Sequence, residues 1–204
     1  MLSYKDIPAS KEAFIFELDN VLYPEKDYLL QVYYLFAAFL EYTEAFPPAA
    51  DLTEFFKKSY THHGTEGIFE RAEEAYGIDK KYRENFLRLH KTARLPLKLL
   101  LYDNALKLLQ DITVDRKKIF LVTNGNPEQQ LNKIKQTEWN GLEQYLTVYF
   151  AEEWKPKPET DVLDLILGKH SLQRKEMVVI GRGDVDEEFA RASGVDFIEM
   201  SDLL

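Results

Sequence analysis

Short continuous runs of apolar residues alternate along the chain with longer stretches that repeat with the period of a helix. The apolar runs predict five strands, at residues 13–16, 118–123, 146–150, 177–181 and, at an edge of the sheet, 197–199. Helical patterns lie between them at 103–112, from 128, at 159–167 and at 186–192. Strands that alternate with helices of this length form βαβ units. The pattern therefore predicts an α/β fold, with a Rossmann-like parallel sheet core flanked by helices.

The block from residue 25 to residue 95 departs from this alternation, because it contains helical patterns and no strand pattern. Residues 28–40 are apolar almost all round, which is typical of a buried helix. Further helical patterns begin near 51, 68 and 82, separated by Pro47-Pro48 and by glycines. We therefore expect an all-α cap domain at 25–95, inserted into an α/β core domain made of 1–24 and 96–204.

Two carboxylates follow the first predicted strand directly. Glu17 and Asp19 are two residues apart, so in an extended chain their side chains lie on the same side. In an open parallel sheet, ligands bind at the edge formed by the carboxyl ends of the strands. The pair is a candidate active site on this ground, although a solvated acidic turn after a core strand would account for it as well.

Polar residues also follow the other predicted strands. They are Thr123 and Asn124, then Lys155, and then Arg182 with Asp184 and Asp186. Because these strand ends share one edge of a parallel sheet, we expect the side chains to meet in one crevice. Thr123 would also serve as the cap of the following turn. Lys155 and Lys157 lie in a proline-rich loop where either would suit solvent, and the register of the loop favours Lys155 as the pocket lysine.

The composition limits the classes of partner. The chain has 204 residues, of which 45% are hydrophobic, and a formal net charge of −9. This charge disfavours nonspecific binding to nucleic acid or to an anionic membrane. There is no apolar run of about 18 residues, no apolar core of a signal peptide at the amino terminus, and no cysteine for a disulfide or a thiolate metal site. These features predict a cytoplasmic protein without a nucleic-acid or membrane partner, and they leave the oligomeric state open.

In this order and spacing, the motifs resemble those of the haloacid dehalogenase-like (HAD) hydrolase superfamily, whose members carry a helical (C1-type) cap at this place. The resemblance covers nearly the whole chain. It is carried by Glu17-Leu18-Asp19-Asn20-Val21 with Leu22-Tyr23-Pro24, by Leu121-Val122-Thr123-Asn124-Gly125, by Lys155-Pro156-Lys157-Pro158-Glu159, and by Gly181-Arg182 with Asp184 and Asp186.

The resemblance implies hydrolysis of a small phosphate monoester with Mg²⁺ as the cofactor. It makes Glu17 the nucleophile and Asp19 the general acid and base, and both would also contribute to the metal site. Thr123, Asn124 and Lys155 would hold the phosphoryl oxygens, so the expected partner is a small phosphorylated molecule or inorganic phosphate. This set suits phosphoryl transfer, which needs an aligned nucleophile and cations facing the transferred group.

The chain departs from the family pattern at two positions where the family has aspartate. Glu17 carries its carboxylate on an arm one methylene longer, and a displacement of about 1 Å costs about 100-fold in rate. Arg182 cannot coordinate Mg²⁺, because a guanidinium is a cation without a free lone pair. Asp184 and Asp186 are the two candidates for the missing metal carboxylate. We expect, however, that Glu17 and Arg182 form a charge-assisted pair in place of the metal bridge, with Arg182 helping to bind phosphate.

Two functions are compatible with these residues. The first is a HAD-like phosphatase whose Mg²⁺-dependent activity is weak or lost. The alternative is a catalytically inactive HAD-like protein that binds a phosphorylated ligand or a protein partner through the same crevice.

Overall fold

The computed structural model describes residues 3–203. The helices are α1 (Glu25–Glu44), α2 (Ala49–His63), α3 (Ile68–Tyr76), α4 (Arg83–Thr92), α5 (Asp103–Val114), α6 (Pro127–Gln136), α7 (Asp161–His170) and α8 (Asp184–Ser193). The strands are β1 (Ala13–Phe16), β2 (Leu99–Leu100), β3 (Lys118–Thr123), β4 (Thr137–Glu138), β5 (Leu146–Phe150), β6 (Met177–Gly181) and β7 (Asp196–Glu199).

Five of the strands form one parallel sheet in the order β5-β3-β1-β6-β7. The central strand β1 is buried at all four of its residues, which is why its sequence is continuously apolar and does not alternate. The predicted α/β fold and parallel sheet are confirmed. The strands β2 and β4 form a separate parallel pair that was not predicted, because two residues are too few to show a period.

Helices cover the sheet and close its core. On one face, Ile15, Phe120 and Val179 from three neighbouring strands belong to the same buried cluster as Ile166 of α7 and Phe189 of α8. Because β1 is buried at all four of its residues, its side chains on both faces of the sheet are removed from water, as in other parallel sheets. This packing fixes the strand ends, and with them the residues that follow β1, β3 and β6.

The chain divides into two compact units. The sheet unit contains the residues up to Pro24, Leu99–Gln130, and the residues from Thr137 onward. The helical unit contains Glu25–Lys98 together with Leu131–Gln136, the last part of α6. The predicted boundaries place that short segment in the α/β core instead, because the periodicity of α6 gives no sign that it is shared between the two units.

The helical unit has an aromatic core. The ring of Tyr33 stacks on Phe56 with 5.0 Å between centroids, and Phe36 meets Phe86 edge-on at 5.0 Å. Phe69 lies 5.5 Å from Phe86, so α1, α2, α3 and α4 all contribute rings. Aromatic pairs at such separations add to the stabilisation from buried area. Between residues 3 and 203, no helix is both long and apolar enough to span a membrane.

Candidate active site

The register of the sheet brings the strand ends together. Phe16, the last residue of β1, pairs with Leu121 of β3 on one side and Ile180 of β6 on the other. Glu17 continues this alignment, because its backbone N–H donates to the carbonyl oxygen of Ile180 over 3.3 Å. The residues that follow β1, β3 and β6 therefore lie side by side at the carboxyl edge of the sheet unit.

Both carboxylate oxygens of Glu17 accept hydrogen bonds. Oε1 accepts from the Thr123 hydroxyl over 2.5 Å and from the backbone N–H of Leu18 over 2.8 Å. Oε2 accepts from the ammonium of Lys157. The Glu17 side chain is 13% exposed, so these interactions form away from bulk water. The carboxylate is held in one orientation by three donors.

Lys157 bridges two carboxylates. Its Nζ donates to Glu17 and also to Asp186 Oδ1, the latter over 2.5 Å. The Lys157 side chain is 2% exposed and that of Asp186 is 6% exposed. Burial by itself lowers the pKa of Lys157, and the negative charges and hydrogen bonds of the two carboxylates more than offset it, so the pKa lies above its usual value. The lysine is therefore a fixed positive charge at neutral pH.

The loop that carries Lys157 is held by Asn124. The Asn124 Oδ1 atom accepts from the backbone N–H of Lys157 over 2.8 Å, and Nδ2 donates to the carbonyl oxygen of Lys157 over 2.9 Å. These two bonds use the amide in both directions, as donor and as acceptor. Asn124, which was predicted to bind phosphate, positions the lysine loop in this structure.

Asp19 accepts hydrogen bonds from two side chains that were not predicted as site residues. Tyr23 donates through its hydroxyl to Asp19 Oδ1 over 2.7 Å. Gln130 donates through Nε2 to Asp19 Oδ2 over 3.0 Å and to the Thr123 hydroxyl over 2.7 Å. Gln130 is buried, and it links Asp19 with Thr123 and so with Glu17. A glutamine on a helical pattern carries no sequence signal for such a role.

The assignment of Lys155 as the pocket lysine is wrong, since Lys157 occupies that place. The Lys155 side chain is 60% exposed, and its Nζ lies 3.3 Å from Asp161 Oδ1 at the surface. Both lysines precede a proline, so the two Lys-Pro steps look alike in sequence. Only the path of the loop, fixed by Asn124, distinguishes them.

The predicted pair between Glu17 and Arg182 is also wrong. The Arg182 side chain is exposed, and within residues 3–203 it makes no hydrogen bond or ion pair. Its contribution to the site is the backbone N–H, which donates to Asp186 Oδ2 over 2.9 Å. Lys157 is the cation that reaches Glu17. Arg182 fails to do so because it begins the turn into α8, where its side chain projects into solvent.

The two candidates for the missing metal carboxylate behave differently. Asp184 is exposed at the first residue of α8, whereas Asp186 is buried in the first turn of that helix. Asp186 packs closely under Gly181, where a Cβ atom would overlap the Asp186 side chain. Asp186 therefore joins Glu17 in the site, with Lys157 between them, and Asp184 does not.

These residues are an incomplete match to a Mg²⁺ site. Mg²⁺ requires several oxygen ligands in nearly octahedral geometry. Both oxygens of Glu17 and both oxygens of Asp186 already accept hydrogen bonds, and the Lys157 ammonium lies between the two carboxylates. In the part of the chain that the structure describes, no group of three His, Asp or Glu side chains is placed to hold a metal ion. The expectation of Mg²⁺ thus comes from the family pattern alone.

The parallel sheet, with Glu17, Asp186 and Lys157 in contact at its carboxyl edge, defines an open α/β protein with a candidate ligand site at that edge. The chain belongs to the haloacid dehalogenase-like hydrolase family, whose model matches residues 14–200. That match spans both units and every motif described above. A comparison with curated proteins gives no significant match.

Solved structures show the same fold. A hydrolase from Streptococcus pneumoniae TIGR4 is 20% identical, with a TM-score of 0.55, and the alignment covers 93% of this chain and 92% of that one. YfnB of Bacillus subtilis, in a magnesium-bound form, is 15% identical with a TM-score of 0.62, covering 92% and 85%. A HAD-superfamily hydrolase of subfamily IA from Geobacter sulfurreducens PCA is 19% identical with a TM-score of 0.53, covering 92% and 86%. At these identities the likeness establishes the fold and not the activity.

Proposed function

We propose that this protein is a phosphatase-type HAD-like hydrolase whose Mg²⁺-dependent hydrolysis of small phosphate monoesters is weak or lost. The observation that supports the proposal is the position of Lys157, whose ammonium bridges Glu17 and Asp186. Glu17 is the candidate nucleophile, and Asp186 is the remaining candidate for a metal carboxylate. In this arrangement both are paired with a side chain of the protein. A divalent ion would have to share both carboxylates with the ammonium.

The charge balance of the site supports the same proposal. Two carboxylates, those of Glu17 and Asp186, face the single ammonium of Lys157. A phosphate monoester brings further negative charge, and phosphoryl transfer needs positive groups against it. Two carboxylates against the one ammonium of Lys157 leave net negative charge among these three groups, which opposes the charge of the expected substrate.

The alternative function is a catalytically inactive HAD-like protein that binds a phosphorylated ligand or a protein partner. The hydrogen-bond network favours it, because Thr123 and Lys157 both donate to Glu17 without substrate. A network of this kind stabilises the sheet edge whether or not any chemistry takes place there.

Hydrolysis of p-nitrophenyl phosphate, measured with Mg²⁺ and with EDTA, tests the proposal. The natural chain is compared with the double variant Glu17→Asp/Arg182→Asp, which restores the family's residues at both positions. We expect the natural chain to show little or no Mg²⁺-dependent rate, and the double variant to gain roughly 100-fold or more, from the corrected reach of the nucleophile and the restored ligand. The variant Lys155→Met is the matched control, since that side chain lies at the surface.

Each outcome has a distinct meaning. If the natural chain turns over at a rate that rises with Mg²⁺ and disappears with EDTA, the proposal is wrong. If only the double variant turns over, the crevice is that of a hydrolase that has lost its metal. If neither turns over, the loss extends beyond these two positions, and the inactive binding protein becomes the better description.

A further inference from the structure

The helical unit contains three buried polar atoms that have no hydrogen-bond partner among residues 3–203. They are the hydroxyl of Tyr33, Nη2 of Arg71 and Nε2 of His90. Buried polar groups in native proteins nearly always have a partner, either within the protein or in bound water or ligand. Three such atoms in one unit therefore indicate that something outside the chain completes their hydrogen bonding.

Of these three residues, Arg71 is the one that carries a fixed positive charge. It lies on α3, and its Nε donates to the hydroxyl of the buried Ser59 on α2 over 2.7 Å. Within the described chain it forms no ion pair with a carboxylate, in contrast to Arg83, which pairs with Glu70. The Arg71 side chain is half-buried, and its Nη2 atom is buried without an acceptor. A charged N–H group that has lost hydration and gained no acceptor is unfavourable. An anionic partner would supply what is missing.

Tyr33 presents its hydroxyl to the same region. It is fully buried on α1 and stacks on Phe56, which lies one helical turn before Ser59 on α2. Residues three apart on a helix share a face, so the partners of Tyr33 and Arg71 are neighbours on α2. Burial, and then the nearby Tyr60 and Glu25, raise the pKa of Tyr33, while the positive charge of Arg71 lowers it. The guanidinium is thus within electrostatic reach of the phenol.

We propose that Arg71 and Tyr33 form a binding site for a small ligand that carries a carboxylate or a phosphate group. The planar guanidinium offers paired N–H donors that match two oxygens of such a group, and the phenol adds a third donor. Ser59 holds the guanidinium in place through Nε, which leaves Nη2, the atom without a partner, for the ligand. The site lies within the helical unit, and it does not depend on whether Glu17 supports turnover.

Calorimetric titration of the full chain tests this site, with inorganic phosphate and malonate as separate probes at constant ionic strength and sodium chloride as the reference. We expect one probe to bind the natural chain, and its identity tells phosphate from carboxylate. Arg71→Met should weaken binding about 100-fold and Tyr33→Phe about tenfold, from the loss of hydrogen bonds to a charged group. Arg88→Met makes the same chemical change at an exposed position of the same unit, and it should leave binding unchanged.

A second measurement requires no variant and so does not depend on whether Arg71→Met folds. In ¹⁵N-labelled natural protein, the Nε–Hε resonance of Arg71 should shift on addition of the probe that binds, in proportion to its occupancy. The proposal is overturned if neither probe binds, which would leave ordered water as the partner of these donors. It is equally overturned if a probe binds with the same affinity to Arg71→Met, or without moving the Arg71 resonance.

Discussion

Replacing Lys157 by methionine tests the central contact of the candidate active site. The change keeps most of the side-chain volume and removes the ammonium from between Glu17 and Asp186, whose side chains are 13% and 6% exposed. Removing one partner of a buried ion pair costs about 3–5 kcal/mol, because the remaining charge is buried without compensation. For a chain of this size, such a loss lowers the melting temperature by roughly 6–20 °C.

The neighbouring lysine provides the control. Lys155→Met makes the same substitution two residues earlier, at a side chain that is 60% exposed and pairs with Asp161 at the surface. Exposed ion pairs contribute about 0–1 kcal/mol, so we expect little change in urea unfolding or in calorimetry. Equal losses for the two variants, or a larger loss for Lys155→Met, would contradict the assignment of Lys157 as the bridging residue.

The pH dependence gives a second readout for Lys157→Met. In the natural chain the pKa of Lys157 lies above its usual value, so its contribution is complete below the ordinary lysine pKa and is lost only at strongly alkaline pH. Between pH 5 and pH 8 this group should therefore leave the natural stability unchanged. Because Lys157 keeps its charge over this range, we expect the loss of stability in the variant to be the same from pH 5 to pH 8. A loss that disappears within this range would refute the electrostatic reasoning.

Three further predictions concern stability in urea unfolding. Thr123→Val removes the hydroxyl that donates to Glu17 and should cost about 1–3 kcal/mol. Gly181→Ala places a Cβ atom against the side chain of Asp186 and should cost about 1–3 kcal/mol from overpacking. Burial, and then the charge of a nearby lysine, lower the pKa of His90 to about 4, from an ordinary value of 6.5. The unfolded chain therefore takes up the proton first, and stability should fall by about 2 kcal/mol between pH 7 and pH 5.

Each of these predictions has a result that contradicts it. A stable Thr123→Val variant would show that the hydroxyl does not tie Glu17 into the network. A neutral Gly181→Ala variant would mean that Asp186 does not pack under β6. His90→Gln removes the titrating ring, so the fall in stability between pH 7 and pH 5 should be about 2 kcal/mol smaller than in the natural chain; an equal fall would assign the effect to other groups.

The sheet could be predicted from the sequence because its physical cause is local. Strands such as β1 and β6 are buried on both faces, so each appears as a short continuous apolar run. The pair β2 and β4 could not be found, since each has two residues and is defined only by its partner. In the same way, the segment Leu131–Gln136 belongs to the helical unit through contacts made far along the chain.

The residues of the candidate site were predicted less completely than the fold. Glu17, Asp19 and Thr123 lie where their strands end, so the sheet alone brings them together. Lys157 and Gln130 enter the site through a loop and a helix whose direction the sequence does not encode locally. The pairing of Glu17 with Arg182 was wrong because it was argued from charge alone, without the direction in which the turn before α8 points its side chains.

The position of Lys157 links the glutamate at position 17 with Asp186. An ammonium has three N–H donors, and two of those of Lys157 are used by Glu17 and Asp186. Were residue 17 an aspartate, its carboxylate would reach one methylene less far, which weakens its hold on the lysine and leaves an oxygen for another cation. The glutamate instead completes the bridge to Asp186, so an entering phosphate group would compete with two carboxylates for the donors of the lysine. The longer side chain thus favours a contact between the protein's own charges over binding of an anion.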